Sequence, residues 1–290
     1  TIFTINIFCC IIGILIIQRG VNTMSYKGKS FAFCNVKGGC GKTMSIFQLS
    51  GCLSSKEYKV LCIDADPQHN LSKAFIGKTL EKGLMELLNK ECSFQEVIQQ
   101  PYPDNEKLKN IYLLPCNYEL FLFESDGTPN KSLTLKKIMA QAEKDNLLDY
   151  DFIFIDTNPA INLISTNVLV YTDSIISVFD SSADSIEGFQ FMQKRIIKDI
   201  QETINPNLDV FGVILNNNDR RTNFSIVMFK MIAQSYGDLA FNTVISPSIK
   251  NKESRAIRLP LCEYEPKHVS TLQFYELSNE FLKRVGATNG

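Results

Sequence analysis

The chain has 290 residues, of which 44% are hydrophobic, and its formal net charge is −1. This length and apolar content suit one full α/β core, and the near-zero charge excludes a globally basic nucleic-acid-binding protein, so any such contact needs a local patch. Nine cysteines without a Cys-x-x-Cys pair, with only two histidines, argue against a zinc or iron–sulfur site and indicate reduced thiols in a cytoplasmic protein.

The first 23 residues differ in composition from the rest. Residues 2–17 are almost wholly apolar and uncharged, and Arg19 follows this run. A membrane span needs about 20 apolar residues, and a signal peptide carries its positive charge before the apolar core. We therefore expect residues 1–23 to be upstream sequence, Met24 to be the start, and residues 24–290 to form one domain. A membrane anchor and an extra buried element are the alternatives.

From Met24 onward, short apolar runs alternate with amphipathic stretches, which is typical of a parallel sheet with helices on both faces. The predicted strands lie at residues 31–35, 60–63, 111–114, 152–155, 174–178, 210–215 and 242–245. The predicted helices lie at residues 42–54, 186–205, 223–236 and 272–285. Residues 79–120, interrupted at Pro101 and Pro103, indicate an inserted or lid-like segment. The predicted fold is a single-domain α/β protein with a mostly parallel, doubly wound sheet.

A glycine-rich loop joins the first predicted strand to the first predicted helix, and residues 36–43 read VKGGCGKT. Glycines let backbone N–H groups approach phosphate oxygens, and the following helix adds the positive end of its dipole. Lys42 supplies a charge for the β- and γ-phosphates, and the Thr43 hydroxyl is a ligand for Mg²⁺. The loop thus predicts a site for a nucleoside triphosphate with magnesium, built from Gly38, Gly39, Cys40, Gly41, Lys42, Thr43 and Met44.

The spacing of this loop departs from the commonest pattern, which has four residues between the first glycine and the Gly-Lys pair. Gly38 lies only three residues before Gly41, and Lys37 stands where the first glycine would be. Like charges repel at this separation, so Lys37 and Lys42 need either an anion between them or separate destinations.

Two further predicted strands end in carboxylates. Asp64 and Asp66 follow the strand at 60–63, and Asp156 follows the strand at 152–155. The carboxyl ends of parallel strands meet at the ligand-binding edge of an open α/β sheet. Beside a magnesium triphosphate, carboxylates there hold the waters of the metal and position an attacking water. The pattern therefore predicts that Asp156 contacts Mg²⁺ through water.

With Lys37 at the position of a signature lysine, the chain resembles the deviant-Walker-A ATPases, the ParA/MinD group of SIMIBI-class P-loop NTPases. The resemblance implies ATP and Mg²⁺ as cofactors and an ATP-bound homodimer. In that dimer Lys37 would reach the phosphates of the partner, while Lys42 would serve its own subunit. The resemblance also implies that Asp66 activates water and that Asp64 contacts the metal through water or touches the dimer partner. The implied catalytic residues are Lys37, Lys42 and Asp66.

The C-terminal half resembles ParA within this group. Residues 213–223 resemble a ParA strand that runs into a DxRTN turn, and residues 259–267 resemble the terminal ParA segment, so the resemblance spans about Phe31 to Val285. It suggests Asn216 and Pro247 as neighbours of the adenine base. The chain departs from the family pattern at Cys40, Met44, Asn158, Asp180, Ser181, Ser246, Pro247 and Ser248.

ParA proteins of this type bind DNA nonspecifically as ATP dimers, which requires a basic surface that touches phosphates. The two matched segments contain the basic residues Arg220, Arg221, Lys230, Lys250, Lys252, Arg255 and Arg258. By position, Arg221 and Lys250 match the DNA-contacting residues of the family, and Lys252 and Arg255 extend the predicted surface. A solvated charged face is the alternative interpretation.

The resemblance implies a partitioning ATPase that coats DNA as a closed dimer and is released when a centromere-binding ParB-type partner stimulates hydrolysis. No strong general base is evident, which indicates slow hydrolysis. The implied location is the cytoplasm, on the nucleoid or a plasmid. The alternatives are a MinD-like membrane-associated ATPase for division-site placement and a nucleotide-gated DNA-binding scaffold or repressor. A MinD-like protein needs a terminal amphipathic helix on lipid, whereas residues 272–285 indicate a packed last helix, so no membrane partner is expected.

Overall fold

The computed structural model describes residues 26–125, 131–219 and 221–287. The expectations for residues 1–23 and for the start at Met24 lie outside this part of the chain, as does Arg220. All the predicted strands are present, with the bounds Lys29–Cys34 (β1), Val60–Ala65 (β2), Ile111–Leu114 (β3), Phe152–Thr157 (β4), Ser174–Phe179 (β5), Asp209–Leu215 (β6) and Ala240–Val244 (β7).

The strands form one parallel sheet in the order β3-β2-β4-β1-β5-β6-β7. Both faces of the central strands are buried, as expected for parallel strands that are covered by helices on both sides. The predicted α/β fold with a doubly wound sheet is confirmed. The glycine-rich loop follows β1, and β4 and β5 flank that strand in the sheet.

The helices lie at Lys42–Ser54 (α1), Asn70–Ile76 (α2), Leu84–Leu88 (α3), Phe94–Val97 (α4), Thr134–Lys144 (α5), Leu163–Tyr171 (α6), Ala183–Met192 (α7), Lys198–Thr203 (α8), Asn223–Tyr236 (α9), Ile249–Ala256 (α10), Leu261–Tyr264 (α11) and Val269–Val285 (α12). The predicted helices at 42–54 and 223–236 match α1 and α9. The predicted helix at 186–205 is α7 and α8 joined by a π-helical turn at Gln193–Ile197. Helices α2, α5, α6, α10 and α11 were not predicted.

The prediction of a lid over residues 79–120 was wrong. This segment contains the edge strand β3, and its apolar side chains belong to the core: Leu84, Leu87, Leu88, Phe94, Val97 and Leu108 are all buried. Burial of apolar surface of this kind stabilises the fold by about 1.5–3 kcal/mol for each large side chain. The segment is therefore held against the sheet as part of the domain.

The last helix packs its apolar side against the phenylalanine-rich face of the sheet. Phe274, Leu277 and Phe281 of α12 are fully buried, and the Phe281 ring lies 5.0 Å from the rings of Phe31 and Phe152. The predicted packed helix is confirmed. Among residues 26–125, 131–219 and 221–287, none of the helices combines the length and hydropathy needed to span a bilayer.

Candidate nucleotide-binding site

The glycine-rich loop lies at the carboxyl edge of β1 and is held from β6. Asn216, directly after β6, donates its Nδ2 to the carbonyl of Cys40 at 2.9 Å. Gly41 has a φ of 103°, a left-handed conformation that disfavours side chains, and a Cβ there would collide with the Nδ2 of Asn216. The sequence-predicted residue Asn216 therefore lies against the loop. The other predicted neighbour of the base, Pro247, is exposed and follows β7, which β5 and β6 separate from β1 in the sheet.

The loop lysine Lys42 is buried with 7% of its surface exposed. Its Nζ donates to the carbonyl of Asn35 at 3.1 Å and to that of Lys37 at 3.5 Å. Neutral carbonyls satisfy the hydrogen bonds of an ammonium group but leave its charge uncompensated. Lys42 is thus a cation inside the loop that an anion such as phosphate would complement.

The second lysine of the loop, Lys37, points to a different partner. Its Nζ lies 2.6 Å from the Oδ2 of Asp180 and 2.5 Å from the Oγ of Ser182, both of which follow β5. The expectation that the two lysines have separate destinations is met within this one chain.

The metal-binding side of the site is built from α1 and β4. The Thr43 hydroxyl donates to Oδ2 of Asp156 at 2.6 Å. The other carboxylate oxygen of Asp156, Oδ1, is buried and has no hydrogen-bond partner among the described residues. A hydroxyl beside a carboxylate with a free oxygen is a donor set that suits the hard cation Mg²⁺. These residues therefore fit a magnesium ion.

Burial strongly affects the acids at this edge. In the sheet register Asp64 of β2 is opposite Asp156 of β4, and both are fully buried. Burial, and then the charge of Asp64, raises the pKa of Asp156 to about 8, although Thr43 and Lys42 oppose the shift. Burial also raises the pKa of Asp64 to about 6, against hydrogen bonds from Ser72. A bound cation would favour the ionised form of both.

Asp64 and Asp66 shape the turn after β2. Oδ2 of Asp64 accepts hydrogen bonds from the backbone N and the hydroxyl of Ser72, both at 2.7 Å. Its Oδ1 accepts from the N of Asp66 at 3.2 Å, and Oδ1 of Asp66 accepts from the N of Gln68 at 2.9 Å. Asp64 therefore anchors the turn that carries Asp66.

His69 in the same turn was missed by the sequence analysis. It has a φ of 43°, and its side chain is fully buried. The ring nitrogens lie 3.2 Å from the carbonyl of Pro67 and 3.2 Å from the hydroxyl of Thr79, and the ring is 4.1 Å from that of Tyr118. The ring therefore fixes the conformation of the turn behind Asp66. A histidine directly after Asp-Pro-Gln is the signal that could have found it.

Two buried amides tie the loop to the rest of the domain, and the sequence analysis missed both. Asn35 donates its Nδ2 to the carbonyls of Val178 and Ser185 and accepts from the N of Lys37. Gln48 of α1 donates to the hydroxyl of Ser254 in α10 at 2.7 Å and accepts from the N of Leu261 at 2.7 Å. The helix behind the phosphate loop is thereby linked to α10 and α11.

The residues predicted to contact DNA lie on α10 and before α9, and most of them have local partners. Arg221 makes a two-point contact with Asp219 at 2.7 and 2.8 Å, yet 88% of its side chain is exposed. Lys250 lies 2.9 Å from Glu253 and 3.0 Å from Glu265, which raise its pKa above the ordinary value.

The other two members of this predicted set lie on α10. Arg255 donates to the side chain of Asn70 at 2.8 Å, whereas Lys252 is exposed. Phosphates of DNA would therefore have to compete with carboxylates at Arg221 and Lys250.

A family model described as an AAA domain matches residues 28–210. The chromosome-partitioning ATPase Soj of Treponema pallidum is 28% identical over 263 residues, which cover 89% of this chain and 99% of that protein. A plasmid partition protein of Borrelia burgdorferi has a similar structure, with a TM-score of 0.69, 22% identity, and coverage of 89% and 99%.

Cobyrinic acid a,c-diamide synthase of Mycobacterium smegmatis, solved with an ATP analogue and magnesium, also has a TM-score of 0.69 and 22% identity, with coverage of 89% and 96%. Because two proteins with such different names match the same fold equally well, the fold alone does not decide the function.

Proposed function

The chain belongs to the ParA family of P-loop ATPases, and from this premise we propose that it is an ATP-dependent partition ATPase. In this proposal the chain dimerises on ATP, and the dimer binds DNA without sequence preference. Slow hydrolysis, stimulated by a ParB-type centromere-binding protein, then releases it. Its role is the segregation of a plasmid or chromosome, in the cytoplasm on the nucleoid or plasmid.

The observation that carries the proposal is the arrangement of the two lysines. Lys42 lies inside the loop against carbonyl oxygens, while Nζ of Lys37 lies outside it against Asp180. This position outside the loop supports a role for Lys37 in a second subunit, which it can take up once it leaves Asp180.

ATP is the substrate, and Mg²⁺ is the cofactor. Thr43 and Asp156 would hold the metal, which neutralises charge on the β- and γ-phosphates when it is bound. The N–H groups of the loop and Lys42 bind the phosphates, and Asp66 orients the attacking water. Asp64 acts through Asp66 by fixing the turn on which it stands. Because none of the described residues around Lys42 and Asp156 is a strong base, we expect slow turnover without a partner.

The proposed DNA surface consists of Arg221, Lys250, Lys252 and Arg255. Each subunit of the proposed dimer contributes one copy of these residues. The curated relative from Treponema pallidum is named for chromosome partitioning, which supports this role. The apolar side of α12 is buried against the sheet rather than free for lipid, so nothing in the described chain favours a MinD-like membrane role.

Co-sedimentation with DNA tests the proposal when it is run with ATP, with ADP and without nucleotide, each at two salt concentrations. We expect retention only with ATP and Mg²⁺, and weaker retention at higher salt because released counterions drive the binding. Lys42→Ala should abolish both ATP binding and DNA retention. Retention that is equal in all nucleotide states, or stimulation of the ATPase by liposomes and not by DNA, would contradict the proposal. Full DNA binding by Lys42→Ala would instead favour a scaffold or repressor.

A further inference from the structure

The carboxylate that holds Lys37 has a complete set of hydrogen-bond partners. Oδ2 of Asp180 accepts from Nζ of Lys37 at 2.6 Å, and Oδ1 accepts from the hydroxyls of Ser182 and Ser185 at 2.6 and 2.5 Å. The backbone N of Ser182 donates to the same Oδ1 at 3.2 Å. Ser182 also meets Nζ of Lys37 at 2.5 Å, so it touches both members of the ion pair.

The fold brings these residues together from distant parts of the sequence. Lys37 follows β1 and Asp180 follows β5, and these strands are neighbours in the sheet with Cys34 opposite Ser177. Asp180 stands just before α7, where the positive end of the helix dipole favours a carboxylate and disfavours a lysine. Lys37 can therefore rest at this helix end only because Asp180 carries the compensating charge.

Asp180 remains charged under ordinary conditions. Burial acts to raise its pKa, but hydrogen bonds from Lys37, Ser182 and Ser185 outweigh that effect and hold the pKa below its ordinary value. Both members of the pair are partly solvent-exposed, at 26% for Lys37 and 20% for Asp180. Such a pair is stable enough to be populated and weak enough to exchange for another anion.

We propose that Asp180 is an autoinhibitory anion that holds Lys37 in its own subunit until the phosphates of a partner subunit displace it. This inference rests on the proposed function, since it assumes that Lys37 acts in the second subunit of an ATP dimer. Asp180 is one of the positions at which the chain departs from the family pattern, so the device is a property of this chain. The fraction of subunits with Lys37 released sets the apparent dimer affinity, because a closed pair excludes the lysine from the interface.

Asp180→Asn tests the proposal because the amide keeps an oxygen for Ser182 and Ser185, whereas the charge and the acceptor that face Lys37 are replaced by an N–H donor. The measurement is the dimer dissociation constant of the full chain by sedimentation, with saturating ATP and Mg²⁺ and again without nucleotide. We expect the variant to dimerise about threefold to tenfold more tightly than wild type with ATP, and not at all without it. Rising salt should narrow this difference, since salt screens a partly exposed ion pair.

Two further variants keep the test decisive. Ser182→Ala removes one partner of Lys37 and leaves the carboxylate, so its dissociation constant should fall between those of wild type and Asp180→Asn. Asp149→Asn breaks exposed ion pairs with Lys27 and Lys59 away from the site and should leave dimerisation unchanged.

The outcomes separate this inference from the function on which it rests. If wild type dimerises with ATP but a folded Asp180→Asn shows the same or weaker dimerisation, the autoinhibitory role is wrong and the proposed function stands. If Asp180→Asn does not fold, dimerisation of Ser182→Ala that is the same as or weaker than that of wild type leads to the same conclusion. If wild type does not dimerise with ATP and Mg²⁺, the proposed function itself fails.

Discussion

The phosphate loop differs in construction from the basic surface, which consists of Arg221 before α9 and of Lys250, Lys252 and Arg255 on α10. In the loop region, Lys42, Asp64 and Asp156 are buried, and their hydrogen-bond partners lie after β1, on α2 and on α1. On the basic surface, Arg221 and Lys250 are exposed or half-exposed and are held by acidic residues close in sequence. The loop region thus depends on contacts between separate elements, whereas the acidic partners of Arg221 and Lys250 lie within the same C-terminal stretch of the chain.

This difference determines how each region should respond to change. A substitution in the loop region leaves a buried charge or polar atom without its partner, which is costly and is felt by neighbouring residues. A substitution on the basic surface removes charge and leaves the fold nearly intact, because exposed ion pairs contribute only about 0–1 kcal/mol each. Function and stability should therefore separate on the basic surface but not in the loop.

The largest effect is expected for Arg221→Ala combined with Lys250→Ala. Each lost phosphate contact lowers the magnitude of the slope of log affinity against log salt by about 0.9. A dimer loses four such contacts, so its slope falls by about 3.6 and its DNA binding weakens by about 100-fold or more at 0.1 M salt. Asp219, Glu253 and Glu265 would then also repel DNA. DNA retention should be lost while ATP turnover without DNA and the melting temperature persist.

The matched control removes the same charge elsewhere. Lys109 and Lys198 are exposed lysines that pair with Glu106 and Glu202 on their own segments. Lys109→Ala with Lys198→Ala should retain DNA binding in the same assay. Equal loss of DNA binding in both double variants, or loss of nucleotide binding in the first, would contradict the assigned surface.

A substitution in the loop should affect nucleotide affinity and stability together. Gly41→Ala places a Cβ in a left-handed conformation, which destabilises by about 1–2 kcal/mol, and it also displaces Asn216 from the Cys40 carbonyl. We expect ATP affinity by calorimetry to fall by about tenfold or more, because loop N–H groups positioned for phosphate move.

Gly28→Ala is the control for the backbone effect alone. Gly28 has a φ of 77° and no atom within 4 Å of its added Cβ. It should lose similar stability but keep the ATP affinity of wild type. If Gly41→Ala binds ATP as tightly as Gly28→Ala does, the loop is less constrained than the contact with Asn216 indicates.

The smallest effect is expected in the pH dependence of stability. Asp156 has a folded pKa of about 8, well above the ordinary carboxyl value near 4. Between these values the folded state holds the proton more tightly than the unfolded state, so the nucleotide-free protein should lose stability as pH rises from 5 to 8. Asp64, whose pKa is raised to about 6, adds to the loss in the lower part of this window, whereas Asp149 and Asp219 titrate near 2 and do not contribute.

The change of the melting temperature between pH 5 and pH 8 measures this dependence of stability on pH, called the slope below. Asp156→Asn should reduce the slope, because the amide does not titrate, and leave the part that Asp64 contributes, whereas Asp149→Asn should leave the slope unchanged. Metal and nucleotide should also reduce the slope, since a cation favours the ionised carboxylate. A wild-type melting temperature that rises with pH over this range would show that Asp156 is ionised in the folded protein.

The sequence was sufficient for the sheet and for the phosphate loop because both depend on local signals. The apolar runs of β1, β2 and β4 are short, and each ends at a glycine-rich or acidic segment. Helix α6 was missed because its valine- and isoleucine-containing sequence LISTNVLVY has no helical periodicity and is buried on more than one side. Helix α10 was missed because it is short and polar.

The partner of Lys37 could not be predicted for a different reason. Asp180 is 143 residues away, and its contact depends on β1 and β5 being neighbours, which local patterns do not specify. The family resemblance supplied a role for Lys37 in a dimer but not its position in a single subunit. The same is true of His69, whose buried ring depends on a contact with Tyr118.

The amide of Gln48 has a mechanical consequence for the two regions compared above. It fastens α1, which begins at the phosphate loop, to the helix that presents Lys250, Lys252 and Arg255. A shift of α1 would therefore either stretch the hydrogen bond between Gln48 and Ser254 or move α10 with it. Binding of a nucleotide in the loop and the orientation of the basic side chains on α10 are consequently coupled through this contact.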